Sequence, residues 1–165
     1  MFISRCCGCC HVALLINSIL IYVQLVYAIR LLVYTDDIQR TVECIRLLKE
    51  AGSSLCGMCL TEELMNFAHV GNVDIIRMIY ECDGSLDCAD RSGKNILHIA
   101  VLHGQVAVIQ WAASKPELKY LFAKRDKYKN RAVDDARALL DSGDSGLTNG
   151  LLKQMIAALE KGEGQ

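Results

Sequence analysis

Residues 90–111 decide the fold, and they read DRSGKNILHIAVLHGQVAVIQW. The stretch contains two short apolar runs separated at Gly104, and no proline interrupts either run. This pattern predicts two short helices joined at a single glycine. A helix pair of this size cannot bury its own apolar face and must pack against similar units. The stretch therefore predicts a repeat protein in which helix pairs stack side by side.

The same pattern occurs once more, one period earlier in the chain. When the sequence is shifted by 33 residues, apolar residues and glycines fall on equivalent residues. The matching pairs are Leu64 with Leu97, Gly71 with Gly104, Val73 with Val106, Ile75 with Val108 and Ile76 with Ile109. Periods of about 20–50 residues are typical of solenoid proteins, so we expect at least two consecutive units of this kind.

The composition favours a single α-helical core. The chain has 165 residues, of which 52% are hydrophobic and 22% are charged, so it can fill one modest core. One proline and 6% aromatic residues fit helices better than a β-sandwich, which needs frequent turn residues. The formal net charge of −1 provides no positive field for nucleic acid. We expect an all-α protein that binds no nucleic acid.

A specific resemblance lies within the quoted stretch. Its DRSG loop is followed by LHIA, residues 97–100, and then by an apolar second helix over residues 106–113. This order of a D-x-x-G loop, an L-H-x-A helix and an apolar helix resembles the ankyrin repeat. The resemblance spans roughly residues 40–160 and is most specific in this central unit. It implies an all-α ankyrin solenoid of about three to four helix pairs, preceded by an apolar N-terminal helix.

The resemblance divides the chain into three parts. Residues 1–34 form an apolar N-terminal segment, residues 35–161 form the ankyrin-repeat domain and residues 162–165 form a tail. Within the domain, the apolar spacing over residues 40–52 predicts the second helix of an earlier pair. That helix ends at a glycine, which is typical of a helix C-terminus.

A third unit is predicted after the central one. It begins at Asp126, 36 residues after Asp90, and it has Lys129 where the ankyrin family has glycine. A loop at residues 142–146 then precedes a final amphipathic helix around residues 151–159. The polar outer face of this last helix suits the exposed end of a solenoid.

The resemblance assigns five residues to structural roles. Leu97 points into the core between repeats, and Ala100 allows two helices to approach closely. His98 helps to hold the loop through hydrogen bonds. Gly71 and Gly104 adopt the positive φ that reverses the chain between the two helices of a pair.

The resemblance also implies a protein–protein interaction scaffold, whose loops and exposed inner-helix positions bind a partner along a concave face. Residues 115–131 contain seven basic and two acidic side chains, which indicates an acidic segment on the partner; the alternative is an ordinary solvated loop. The equivalent positions of the first repeat are Thr61, His69 and Val70. The predicted partner-binding residues are Arg91, Ser92, Lys94, Leu102, His103, Lys124, Arg125, Lys127 and Tyr128.

No sequence motif indicates catalysis. The chain has no G-x-S-x-G, no H-E-x-x-H and no glycine-rich phosphate loop, so we expect no enzymatic activity of its own and no cofactor. The set of repeats is also similar to the C-terminal ankyrin tails of asparaginase-type and glutaminase-type enzymes. The alternative function is therefore a non-catalytic tail or fragment of a larger amidohydrolase of that type.

Cysteines leave two alternatives open. The chain has nine cysteines, and a CxxC motif at Cys56 and Cys59 is followed by Cys82 and Cys88. These four thiolates are the number that a structural zinc site needs. Cysteine also serves as a small apolar residue that fills gaps between helices. We expect this second use, and thus no metal.

The N-terminal segment contains a long uncharged run. Residues 12–29 carry no charge, and at about 1.5 Å per residue a helix of this length just crosses a hydrocarbon core of about 30 Å. Three alternatives stay open: a signal anchor, a cleaved signal peptide, and a truncated or wrongly translated N-terminus. With an anchor in residues 12–34, the basic residues that follow keep the ankyrin domain in the cytoplasm. We therefore expect a cytoplasmic domain, with membrane attachment as the alternative that the anchor implies.

Overall fold

The computed structural model of the chain describes residues 60–143 and 146–164, together with residues 43, 46, 47 and 50. All regular secondary structure among these residues is helical, which confirms the prediction of an all-α fold. The predicted apolar helix and the CxxC pair lie outside the described residues. None of the helices described combines the length and the apolar character needed to cross a bilayer.

Seven α-helices and one 3-10 helix lie in the described part of the chain. They are α1 (Thr61–Val70), α2 (Val73–Glu81), α3 (Ile96–Leu102), α4 (Val106–Ala113), α5 (Lys119–Ala123), α6 (Ala132–Ser142) and α7 (Asn149–Glu163), with the 3-10 helix Pro116–Leu118 directly before α5. Of the predicted helix over residues 40–52, the four described residues are helical.

Each of the first two helix pairs is joined by a short connection that contains a left-handed glycine. Gly71 follows α1 with φ of +77°, and Gly104 lies between α3 and α4 with φ of +71°. This conformation carries little steric penalty only for glycine, so the chain reverses there without strain. The N-terminus of α2 is then capped by Asn72, whose side chain accepts a hydrogen bond from the Ile75 N–H at 3.3 Å.

The helix pairs stack side by side in two rows. The inner helices form one row, in which α1 packs against α3 and α3 packs against α6. The outer helices form the second row, in which α2 packs against α4 and α4 packs against α7. Each inner helix also contacts the outer helix of its own pair. This arrangement is the one that the repeated apolar pattern predicts.

One apolar cluster runs through all three pairs, from Leu60 at the start of α1 to Leu159 in α7. Leu97, Ala100 and Ile109 have no exposed surface within it. Because Ala100 carries only a methyl group, α3 can lie close to its neighbours at this position. Burial of such apolar surface is the dominant favourable contribution to folding.

The connection between α4 and α6 is itself helical and packs into the core. Leu121 and Phe122 of α5 are buried, and the Leu121 carbonyl accepts a hydrogen bond from the Asn95 side-chain amide at 2.8 Å. The additional turns account for the longer spacing of 36 residues between the second and third units.

The last helix closes the stack against this connection. α7 runs to Glu163, so it includes the first two residues of the predicted tail. Gly162 lies directly against Phe122, where a Cβ atom would stand 2.4 Å from the ring. Only glycine permits this contact between the last turn of α7 and α5.

Replacement of Ala100 by glutamate tests the seam between the repeats. Ala100→Glu places an unpaired charge in a fully buried site, so we expect the free energy of unfolding to fall by more than about 3 kcal/mol. Urea denaturation followed by circular dichroism measures this change. The matched control is Ala107→Glu on the exposed face of α4, for which a change within about 0.5 kcal/mol is expected. Equal effects of the two substitutions would contradict the stacked core.

Candidate functional site

Two loops of nearly identical construction precede α3 and α6. In the first finger loop, residues 90–94, Asp90 Oδ1 accepts hydrogen bonds from the backbone N–H groups of Ser92 at 2.7 Å and Lys94 at 2.9 Å. In the second finger loop, residues 126–130, Asp126 Oδ1 accepts from the Tyr128 and Asn130 N–H groups, both at 2.9 Å. An aspartate that bonds to the backbone in this way fixes a tight turn. Both loops are therefore held in the same shape by their first residue.

The fourth residue of each finger loop is left-handed. Gly93 has φ of +78°, and Lys129 has φ of +67° at the equivalent position. A residue with a Cβ atom rarely adopts this conformation, and it costs such a residue about 1–2 kcal/mol. The aspartate hydrogen bonds and the Asp126 carbonyl, which accepts from the Lys129 N–H at 3.0 Å, hold Lys129 in place despite this cost.

A backbone hydrogen bond joins the two loops. The Lys127 N–H donates to the Ser92 carbonyl oxygen at 3.0 Å. A Cβ atom on Gly93 would lie 3.0 Å from the Lys127 nitrogen, so the loops approach each other closely at this glycine. The two finger loops consequently form one continuous edge.

An ion-pair network beneath the loops ties them to α6. Lys94 Nζ contacts Asp126 Oδ2 at 3.0 Å and Asp135 Oδ2 at 2.5 Å. The Asp126 side chain has no exposed surface, and 17% of the Lys94 side chain is exposed. Both charges therefore lie in a partly buried site, where an ion pair is little screened by salt.

Burial and hydrogen bonding act in opposite directions on these groups. Burial opposes ionisation of Asp126, but hydrogen bonds from the Asn130 N–H and from Lys94 outweigh it and hold the pKa of Asp126 below its usual value. Burial likewise disfavours the charged form of Lys94, yet its hydrogen bonds to Asp135 and Asp126 raise the pKa of Lys94. Both shifts favour the charged forms of Asp126 and Lys94.

A comparison with known families identifies the central repeats. A family model described as ankyrin repeats (many copies) matches residues 64–113. Residues 64–113 are ankyrin repeats. The match covers both predicted units around Gly71 and Gly104, and it confirms the resemblance seen in the sequence. Searches of characterised proteins and of solved structures gave no significant match.

The ankyrin family is a protein-interaction family that is generally not catalytic, and the match over residues 64–113 supports a protein-interaction module in this general sense. No match supports the similarity to asparaginase-type and glutaminase-type enzymes, which stays a prediction. Among the residues that the structure describes, no group of three or more His, Cys, Asp or Glu stands close enough to hold a metal ion. Cys82 is buried and Cys88 is half-buried.

Three of the predicted partner-binding cations have contacts inside the helical domain. Lys94 belongs to the network with Asp126 and Asp135. Lys124 forms an ion pair with Asp87, on the segment that follows α2. The Arg125 guanidinium donates to the Lys129 carbonyl oxygen at 2.7 Å and remains exposed. These contacts give all three side chains a role within the fold.

Four other predicted residues lie together at the outer edge of the loops. Arg91, Lys127 and Tyr128 are exposed, Tyr128 to 75%, and Ser92 is half-buried between them. The hydrogen bond between the Lys127 N–H and the Ser92 carbonyl brings the two loops together. We call these four residues the finger-loop surface.

The remaining two predicted residues lie at the end of α3. Leu102 is 39% exposed, and His103 directly follows it as the C-terminal cap of the helix. Val70 and His69 occupy the corresponding end of α1, and both are exposed. The inner helices therefore present an exposed apolar and imidazole surface next to Gly71 and Gly104.

His98 lies inside the domain and joins the start of α3 to the second finger loop. It has no exposed surface, and its Nε2 lies 3.1 Å from the carbonyl oxygen of Asn130. Its other ring nitrogen, Nδ1, lies 3.3 Å from the backbone nitrogen of Asn95 and 2.7 Å from Asn95 Oδ1. The Asn95 side chain caps α3 by accepting from the N–H groups of Leu97 and His98.

Arg131 is a structural cation that the count of basic residues does not reveal. Its guanidinium forms a bidentate pair with Glu163 at 3.0 Å and also contacts Asp134. These contacts tie the start of α6 to the end of α7. The one indication in the sequence is that Arg131 stands at the cap position before α6, where the ankyrin family usually has threonine.

The left-handed conformation of Lys129 leads to a stability prediction. Lys129→Gly removes the steric cost of the positive φ, so we expect the free energy of unfolding to rise by about 0.5–1 kcal/mol after the larger loss of backbone entropy is subtracted. Urea denaturation measures the change. Lys127→Gly is the matched control, because Lys127 has no positive φ, and it should destabilise the protein. Destabilisation by both substitutions would contradict the equivalence of Lys129 and Gly93.

The ion-pair network predicts a pH-dependent effect of Lys94→Met. At pH 7 this substitution leaves two carboxylates without their cation, so we expect the urea midpoint to fall by about 1 M. The pKa of Asp126 is lowered in the folded state, so its stabilising contribution is complete above the unfolded-state pKa of about 3.9. That contribution is lost as the pH falls through the lower, folded-state pKa.

The difference between wild type and Lys94→Met should therefore shrink as the pH falls below about 4. Urea melts at pH 7 and at a series of lower pH values measure it, with the exposed Lys153→Met as a control that should leave the midpoint unchanged throughout. A difference that stays constant as the pH falls below about 4 would show that Lys94 acts through packing and not through its charge.

Proposed function

We propose that this ankyrin domain binds a partner protein through the finger-loop surface and the adjoining end of α3, where Leu102 and His103 are exposed. The observation that carries the proposal is the pairing of the two loops by the Lys127–Ser92 hydrogen bond, with charged and aromatic side chains left on the outside. Exposed arginine and tyrosine are the residue types that most often dominate the energy of protein interfaces.

The charges of the surface favour an acidic segment on the partner. Arg91, Lys127 and Lys129 are exposed, and none of the three side chains has an ion-pair partner among the described residues. The nearest acids of the loops, Asp90 and Asp126, are engaged with backbone N–H groups of their own loops. The outer edge therefore presents positive charge, which attracts carboxylates and discriminates against basic partners.

Tyr128 supplies the apolar part of the same surface. Its ring is 75% exposed at the turn of the second loop, and its backbone N–H is fixed by Asp126. A large side chain on a rigid turn loses little conformational freedom when it is covered. We infer that the partner segment combines acidic residues for Arg91 and Lys127 with an apolar residue that covers Tyr128.

Lys94, Lys124 and Arg125 contribute to binding indirectly in this proposal. Their contacts with Asp126, with Asp87 and with the Lys129 carbonyl hold the two loops in place. Substitution of these residues would alter the loops as well as the charge. A clean test therefore changes only side chains that have no contact inside the domain.

The test compares two charge-reversal variants of the full chain. Arg91→Glu/Lys127→Glu changes the finger-loop surface, and Lys153→Glu/Lys161→Glu makes the same change of charge on exposed positions of α7. Proteins retained by each immobilised chain are quantified by mass spectrometry at low and at high salt. We expect at least one interactor to be reduced about tenfold or more by the first variant and to be unchanged by the second.

Binding of that interactor should also weaken as salt is raised, because exposed charges are screened. Both variants should unfold at the same urea concentration as the wild type, which separates binding from folding. If the finger-loop variant retains the same proteins in the same amounts as the wild type, the proposal is wrong. Loss of the same interactor from both variants would indicate a general charge effect and would also contradict it.

A further inference from the structure

Two histidine rings from neighbouring repeats meet at the exposed ends of the inner helices. The ring centroids of His69 and His103 are 3.9 Å apart, and the ring planes are inclined by 71°. Both residues are exposed. His69 lies in the last turn of α1 and His103 caps α3, so the contact joins two separate repeats.

The backbones that carry these rings are fixed. The Gln105 side-chain amide donates to the His69 carbonyl oxygen at 2.8 Å, which links the end of α1 to the start of α4. The His103 N–H donates to the Ile99 carbonyl oxygen at 3.1 Å. The two helix ends that carry the imidazoles are therefore held next to each other, so a ligand that uses both rings needs to order only the side chains.

The pair is suited to a cation that binds neutral imidazole. Partial desolvation where the rings meet, and the neighbouring His69, both lower the pKa of His103 although the residue stays exposed overall. Only neutral histidine coordinates a metal ion. Imidazole nitrogen is a preferred ligand of zinc, copper and nickel.

We propose that His69 and His103 form a two-imidazole site for a divalent transition-metal ion of the zinc, nickel and copper class. Metal–nitrogen bonds of about 2.0–2.1 Å to both rings place their centroids about 5 Å apart in tetrahedral geometry. The rings therefore separate by about 1 Å on binding, which exposed side chains achieve by small rotations about their own bonds. The hydrogen bonds donated by the Gln105 side-chain amide and by the His103 N–H stay intact.

The site uses two protein ligands and leaves the other coordination positions open. No third His, Cys, Asp or Glu completes a cluster with this pair in the part of the chain that the structure describes. Water occupies the open positions, and they face the exposed side of the inner helices. The site is consequently weaker than a three- or four-ligand zinc site, and it does not depend on the proposed partner.

The experiment uses the full, untagged chain, reduced and freed of metal, with nitrogen-15 in its histidine rings. Long-range proton–nitrogen spectra resolve each imidazole during titration with zinc chloride and, separately, nickel chloride. This readout is specific to each ring, so zinc bound by the nine cysteines does not obscure it. Single histidine substitutions assign the signals.

In the zinc titration, where the metal is diamagnetic, we expect the His69 and His103 signals to change together, with one half-saturation concentration, while the buried His98 does not respond. His69→Gln and His103→Gln should each raise the concentration needed to affect the other ring by about tenfold or more, because chelation by two ligands is lost. The control His11→Gln should leave it unchanged. Urea melts of all variants verify that the domain stays folded.

The proposal is overturned if neither ring responds to either metal. It is also overturned if the two rings titrate independently, so that removing one leaves the half-saturation of the other unchanged. Loss of a finger-loop interactor has no bearing on this result, because the metal titration contains no other protein.

Discussion

Close contact between neighbouring inner helices is the constraint on which this structure depends. None of the three described helix pairs buries its apolar face alone, and each relies on a neighbouring pair to cover Leu64, Leu97 or Val133, all of which are buried. Small residues at Ala100 and Ala136 keep the helices near enough for this contact. Once the inner helices are stacked, the loops before α3 and α6 are brought together as well. The finger-loop surface is thus a consequence of how the core packs.

Much of this fold could be predicted because it is encoded locally. The glycine between α3 and α4, the apolar second helix and the loop aspartates each leave a pattern within about a dozen residues. The same local alignment places Lys129 at the glycine position, and the structure gives it a left-handed φ of +67°. The folded connection through α5 was less visible, because one longer spacing in the sequence does not specify that Leu121 and Phe122 turn inward.

The pairing of charges could not be predicted in the same way. Lys94 finds its carboxylates 32 and 41 residues further along the chain, and Arg131 finds Glu163 at a separation of 32. A count of basic residues over residues 115–131 treats all of them as available, although Lys124 and Arg131 form ion pairs within the fold. The contact between His69 and His103 has the same origin, since it exists only when two repeats stand side by side. The stacking of the helix pairs therefore determines which polar side chains pair within the fold and which remain exposed.

The finger loops are held by backbone groups, by two aspartates and by the side chains of Lys94, Lys124 and Arg125, with one N–H···O=C hydrogen bond from Lys127 to Ser92 between them. The side chains of Arg91, Lys127 and Tyr128 take no part in that fastening. These three residues can therefore be substituted, in evolution or by design, without disturbing the loops. In this part of the chain, the exposed side chains are different from the residues that hold the loops in shape. Single substitutions can therefore change binding specificity without changing the fold.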